Sequence, residues 1–199
     1  MTEKRKIIFS FDDGPHPVKV LDGILAVLQR DTIKAEFYVL GSEAEKYPGA
    51  VRDIASRGHR VQNHSWSHPN LAKASEDKVK SELERTQKII EKTTGIKPTK
   101  VRPPYGAGGW PKKHDPELAK VAQRLSLSIH NWDIDTEDWN APRGIGPTKI
   151  EEIEKQLGWS RGKSMLNVLM HVQHETARDL PDFVEYLKAS GFTFSSPLG

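Results

Sequence analysis

Ile7-Ile8-Phe9-Ser10-Phe11-Asp12-Asp13-Gly14-Pro15 is the stretch that decides the fold. Its apolar run is rich in β-formers and reads as a buried strand, which Gly14-Pro15 stops abruptly. Two adjacent acids therefore stand at the C-terminal tip of the first strand, where parallel α/β folds place their catalytic groups. Asp-Gly-Pro is also good turn chemistry, but a turn needs no pair of acids behind a hydrophobic strand. Like charges this close call for a cation beside them, a metal or an arginine.

Outward from this strand, elements of both periods alternate. Val18 to Arg30 has helical spacing, and Lys34 to Leu40 reads as a strand. Ser42 is a fair N-cap for one helix through Ser56, and Arg60 to Asn63 is a short strand. Ser75 opens a helix that Gly95 and Pro98 end, and Thr99 to Arg102 is a strand. After the glycine-rich loop Tyr105 to Asp115 come a helix, Pro116 to Arg124, and a strand, Leu125 to Trp132. A helix over Lys149 to Leu157, a strand over Ser164 to Met170 and a helix over Leu180 to Ala189 precede the strand Phe192 to Phe194. The alternation predicts a parallel α/β fold, barrel or open sheet, in one domain. Trp132 and Trp159 are expected in the core.

The chain has 199 residues, 36% apolar and 29% charged, so it is globular without a disordered bias. Its net charge is +3 and its thirty Lys and Arg are scattered, so no nucleic-acid partner is expected. With no cysteine, disulfides and thiolate metal sites are excluded, and any metal must be held by His, Asp or Glu. No apolar run is long enough for a membrane span. Met1 to Lys6 runs straight into the first strand, so no signal peptide is expected within this chain.

The chemistry-bearing residues fall just after predicted strands: Asp12/Asp13, His64/His68, Arg102, Asp135/Asp138 and His171. Strand C-termini converge on one face of such a fold. His64 and His68 are four apart, which on a helical turn puts both imidazoles on one side. Two His with one carboxylate suit a catalytic zinc or similar divalent ion with open positions. The five histidines other than these two and His171, namely His16, His59, His114, His130 and His174, are read as surface or core residues. A non-haem iron oxygenase also uses two His and an acid, but the jelly-roll pattern it requires is missing. One acid would then serve the metal and the other its water, with His171 a proton donor and Arg102 a partner for the second carboxylate. This describes metal-assisted hydrolysis of an acyl or a phosphoryl bond.

The motifs resemble those of the polysaccharide deacetylases that share the NodB homology domain, carbohydrate esterase family 4. They are Ser10-Phe11-Asp12-Asp13-Gly14-Pro15, His64-Ser65-Trp66-Ser67-His68, Arg102-Pro103-Pro104-Tyr105, Asp135-Thr136-Glu137-Asp138-Trp139 and Leu169-Met170-His171. The resemblance runs from Phe11 to Phe194 and implies a distorted (β/α)7 barrel of parallel strands, a single catalytic domain over residues 1–199. It implies Asp13, His64 and His68 as metal ligands, Zn2+ first, with Co2+ or Ni2+ as alternatives. It makes Asp12 the general base, His171 the general acid paired with Asp135, and Arg102 the partner of Asp12. The backbone N–H of Tyr105 would face the oxyanion, Trp139 and Leu169 would wall the acetyl pocket, and Trp66 would contact substrate.

The implied reaction is N-deacetylation of N-acetylglucosamine units in chitin, chitooligosaccharide or peptidoglycan. The alternatives are an O-acetyl esterase on xylan-type glycans and a non-catalytic glycan-binding relative. A monomer acting on an acetylated glycan is expected, extracytoplasmic where a leader has been removed and cytoplasmic otherwise. Ser10, Glu36, Val172 and the long Gly106 to Asp115 loop depart from the family's usual pattern, and none of them is a catalytic position.

Overall fold

The fold was analysed in a computed structural model, which describes residues 5–197. In chain order its elements begin with β1 (Lys6–Gly14), α1 (Val18–Arg30), β2 (Glu36–Val39), α2 (Gly41–Lys46), α3 (Pro48–Ser56), β3 (Arg60–Asn63) and α4 (Glu76–Thr94). They continue with β4 (Lys100–Val101), α5 (Pro116–Arg124), β5 (Ser128–Ile129), β6 (Ile134–Asp135), α6 (Pro147–Trp159), β7 (Met165–His171), α7 (His174–Ala189) and β8 (Thr193–Phe194). The chain clusters into two compact units, with Asp13–Pro15 and Phe37–Asn131 in the second and the remaining described residues in the first.

In the first unit β1 is buried on both faces, as a covered parallel strand must be. It pairs in parallel with β7, from Lys6 opposite Met165 to Asp12 opposite His171. β8 lies parallel on β1, and β6 on β7, with Asp135 opposite Leu169. Phe9 stacks on Phe183 of α7 at 5.9 Å and meets Phe194 of β8 at 5.0 Å, so aromatic burial ties the two ends of the chain together. Two departures from the family pattern meet here: Ser10 donates to Asn167 Oδ1 at 2.7 Å, and Asn167 Nδ2 donates to the buried Glu36 carboxylate at 3.3 Å.

In the second unit the order is β5-β4-β3-β2, with β3 parallel to β4 (Asn63 opposite Val101) and β4 parallel to β5 (Val101 opposite Ile129). The last residues of β1 belong to this unit, where the Leu40 N–H donates to the Gly14 carbonyl at 3.1 Å. Its core gathers Val79 and Leu83 of α4, Val101 of β4 and Leu118, Val121 and Ala122 of α5. Ser75 caps α4 through the Lys78 N–H, Asp115 caps α5 through the Leu118 N–H, and Gly95 closes α4 in the left-handed conformation (φ 73°).

Parallel strands alternating with helices are what the sequence predicts. The single helix expected over Ser42 to Ser56 is two, because Pro48 holds Tyr47 out of the α region (φ −122°, ψ 56°). The strand expected over Leu125 to Trp132 shrinks to β5, since Leu125 caps α5 and Ser126 has a positive φ of 58°. α7 begins at His174 rather than Leu180, so Pro181 lies inside it and does not mark its start. Trp159, expected in the core, is 78% exposed. Among the described residues no helix is long and apolar enough to cross a membrane.

Candidate metal centre and acid–base residues

Asp13, His64 and His68 come together in the second unit, each offering a ligand atom within 4.8 Å of the other two. Among the described residues they are the one group of three His or acids so placed. Asp13 is carried by the bent end of β1, where its φ is 66°. A positive φ at an aspartate is uncommon and marks a backbone fixed by its surroundings.

The two histidines follow β3. The helical turn inferred from their spacing does not form: Ser65 and His68 both have positive φ (68° and 60°), and the segment is a loop. It still brings the imidazoles together, with ring centroids 5.1 Å apart.

Both Nε2 atoms lie 3.4 Å from Asp13 Oδ1. Donors held about 2.1 Å from a tetrahedral ion are about 3.4 Å from one another, so the N, N, O set fits a zinc-like divalent cation. His64 is buried, and its Nδ1 lies 2.8 Å from the Arg102 carbonyl oxygen. A carbonyl only accepts, so Nδ1 carries the proton and Nε2 keeps its lone pair on the Asp13 side. His68 Nδ1 is 3.2 Å from the Tyr105 hydroxyl, and the two rings meet edge to face at 4.7 Å. Sequence reasoning gave Tyr105 only a backbone role and missed this side-chain contact.

Arg102 is fully buried, its guanidinium 4.0 Å above the Tyr38 ring and donating to the carbonyls of His130 and Asn131 at 3.3 Å each. Trp66 lies under the Arg85 guanidinium at 3.8 Å, and its ring leaves no room for a side chain at Gly41.

The first unit holds the proton-transfer candidates. Asp12 is buried opposite His171 in the β1/β7 register, and its carbonyl accepts the Val172 N–H at 3.1 Å. The carboxylate at His171 is a correction to the sequence reading: Asp138, not Asp135, has an oxygen 2.7 Å from Nδ1. Asp138 is fully buried, and its second oxygen accepts the His171 backbone N–H at 2.8 Å and the Thr176 hydroxyl.

Asp135 turns back on its own chain and accepts the Glu137 N–H at 2.8 Å. Its carboxyl is pushed above the usual range by burial; the Glu137 N–H and His171 oppose this, while the Asp138 and Glu137 charges add to it. Asp135 makes an Asx turn, a local preference open to either acid, so the sequence carries no signal that separates the two. Asp133 accepts the Asn167 N–H at 2.8 Å and pairs with Lys163, a structural role. Leu169 is buried and Trp139 is 52% exposed.

The sequence profile of the polysaccharide deacetylase family matches residues 1–130. A peptidoglycan-N-acetylglucosamine deacetylase, PgdA, of Listeria monocytogenes is 38% identical over 191 residues, which is 96% of this chain and 37% of the relative. The chain thus spans little more than a third of that protein's length. Among solved structures, a family 4 carbohydrate esterase from Streptomyces lividans in complex with acetate matches with a TM-score of 0.80 at 27% identity, covering 98% of this chain and 92% of the other. A mutant of a family 4 pseudoenzyme with restored enzymatic activity matches with a TM-score of 0.81 at 26% identity, covering 98% and 67%.

Proposed function

The chain belongs to the polysaccharide deacetylase family, and from that premise we propose that it is a metal-dependent hydrolase that removes N-acetyl groups from N-acetylglucosamine-containing glycan, peptidoglycan first. The observation that carries this reading is the Asp13/His64/His68 group, whose spacing fits a catalytic divalent ion. We assign residues 1–199 as one catalytic domain, working as a monomer, with Zn2+ as its metal. When bound, such an ion supplies a Lewis acid that makes water acidic enough to attack an amide at neutral pH and polarises the acetyl carbonyl.

The chain's own groups do the rest. Asp12 takes the proton from the attacking water as a new C–O bond forms at the acetyl carbon. Asp12 and the proposed ligand Asp13 are joined by one peptide bond, with Cα atoms about 3.8 Å apart, which supports a base beside the metal. The Tyr105 backbone N–H is assigned to the developing oxyanion. Arg102 is assigned to offset the charge on Asp12, and Trp139 and Leu169 to the acetyl methyl. His171 then gives the proton on Nε2 to the sugar nitrogen as the C–N bond breaks, releasing acetate and a free amine. A nitrogen leaves poorly as an anion, so this donation is required. Asp138 supports it by holding Nδ1–H and so fixing which nitrogen faces the reaction.

The test is acetate release from peptidoglycan, N-acetylglucosamine oligomers and acetylated xylan, each with and without chelator and with Zn2+ restored. Chelator-sensitive release from the N-acetylated glycans supports the proposal. Release from xylan alone replaces it with an O-acetyl esterase, and no release from any substrate by Zn2+-loaded protein points to a non-catalytic relative.

A further inference from the structure

The segment that presents His64 and His68 has no helix or strand to supply its hydrogen bonds, so its order must come from elsewhere. The sources can be followed atom by atom. The Ser65 N–H goes to Asn63 Oδ1 at 2.9 Å, and the His68 N–H to Ser65 Oγ at 3.1 Å. The carbonyls of Ser65 and Trp66 accept from Gly41 and Ser42, at the start of α2, at 2.9 and 3.1 Å. The His64 N–H goes to the Val39 carbonyl at 3.1 Å, and the remaining two amides, Trp66 and Ser67, both donate to a single oxygen of Glu82 at 2.8 Å. The other Glu82 oxygen accepts the Ser67 hydroxyl at 2.8 Å.

Glu82 lies mid-way along α4 and is 3% exposed, an unusual place for a carboxylate unless it is needed there. Successive N–H groups beside a left-handed residue, here Ser65, form an anion-binding concavity. The protein fills this one with its own side chain. Lys78, one turn earlier on the same helix and 2.7 Å from the carboxylate, offsets the charge at the rim. The same stretch of α4 holds the loop twice more, since the Leu83 carbonyl accepts from Asn63 Nδ2 at 2.8 Å and Arg85 covers Trp66.

We infer that Glu82 is a positioning residue for the metal centre. By fixing the amides of Trp66 and Ser67 it sets where His68 starts relative to His64, and so the separation of the two Nε2 atoms. Charge-assisted bonds are about twice as strong as neutral ones, so a neutral amide at this position holds the Trp66 and Ser67 N–H groups more weakly and leaves Lys78 without an anionic partner. The inference rests on the metal reading of Asp13/His64/His68 given above.

The experiment is Zn2+ affinity of the metal-free protein, by competition with a chromophoric chelator, which needs no substrate. Glu82→Gln should weaken Zn2+ binding about ten- to hundredfold, with Glu82→Asp recovering part of the loss, while Glu84→Gln, an exposed pair with Lys88 on the same helix, stays within about twofold of the parent. Val121→Ala, in the core of the same unit, serves as a control for lost stability alone and should keep its Zn2+ affinity. If Glu82→Gln does not fold, Ser67→Ala removes one of the three bonds and must itself weaken binding. Parental affinity in Glu82→Gln or Ser67→Ala overturns the inference, as does an equal loss in Val121→Ala. Absence of Zn2+ binding in the parent chain overturns the metal reading along with it, whereas normal parental binding with an unaffected variant overturns the role of Glu82 alone.

Discussion

His171 and Asp138 are joined twice: one carboxylate oxygen lies 2.7 Å from the imidazole Nδ1, and the other accepts the backbone N–H of the same histidine at 2.8 Å. The ring is thereby held in position and tautomer by a buried acid three residues beyond the one the motif first suggests. Asp138→Asn puts an amide NH2 among three donors, and we expect kcat to fall on the order of a thousandfold. Asp135→Asn should cost far less, because its partner is a backbone amide that Asn Oδ1 also accepts. Side-by-side kcat values decide it, and a larger loss at Asp135 would return the pairing to that residue.

His171→Ala should damage amide substrates more than activated aryl esters. An aryl oxide leaves without a proton, whereas an amide nitrogen needs one from the acid. Comparing kcat/KM on N-acetylated oligomers and on an aryl acetate gives the ratio directly. Equal losses on both would remove His171 from the role of proton donor.

How far the site could be read beforehand varied with how local each contact is. Asp12/Asp13 at a strand end needed only an apolar run and Gly14-Pro15, and that placement is what the structure has. The pairing of His64 with His68 was legible from spacing, but for a reason that does not apply: a loop with two left-handed residues, not a helix, joins them. That loop depends on Glu82 and on the start of α2, contacts 16 and 24 residues away in the chain, which no local pattern announces. The Asp138 partnership was hidden because two acids in one motif are equivalent until the backbone path turns one of them inward. Trp159 misled because hydrophobicity predicts burial in one direction only; large apolar side chains on the surface are ordinary.

Asp12→Asn should separate binding from turnover. Asn is nearly the same size and Asp13, His64 and His68 are untouched, so Zn2+ stoichiometry should remain at the parental value. The base is gone, and kcat should fall by about 10²–10⁴-fold. Metal analysis and acetate release on one preparation check both halves, and near-parental turnover would refute the assignment.

Metal removal should be visible in stability as well as rate. A ligand that binds only the folded state at a hundred times its Kd adds about 2.7 kcal/mol, which for a chain of this size raises Tm by about 5–10 °C. Adding chelator should reverse that rise in the parent, and His68→Ala should show little of it in the first place. A Tm in His68→Ala that still responds fully to Zn2+ would take His68 out of the site.

Asp135 and Glu82 should leave opposite marks on stability against pH. Burial holds the Asp135 carboxyl above the ordinary 3.8, so between that value and its folded one the native state binds more protons than the unfolded chain. Its contribution is therefore most favourable in acid and is lost as pH rises through the folded pKa. Replacing it with Asn, which keeps the Glu137 N–H bond, should raise stability at about pH 7 and leave it nearly unchanged at about pH 3. For Glu82, burial pushes the pKa up, but Lys78 and the Ser67 N–H and hydroxyl outweigh it and hold the carboxyl below 4.5. That stability is present above the ordinary value and is lost as pH falls through the folded one, so the deficit of Glu82→Gln should be largest near neutrality and narrow in acid. Denaturant midpoints of the three proteins across this range give the curves. A pH-independent difference for Asp135→Asn would show that burial does not raise the pKa of its carboxyl.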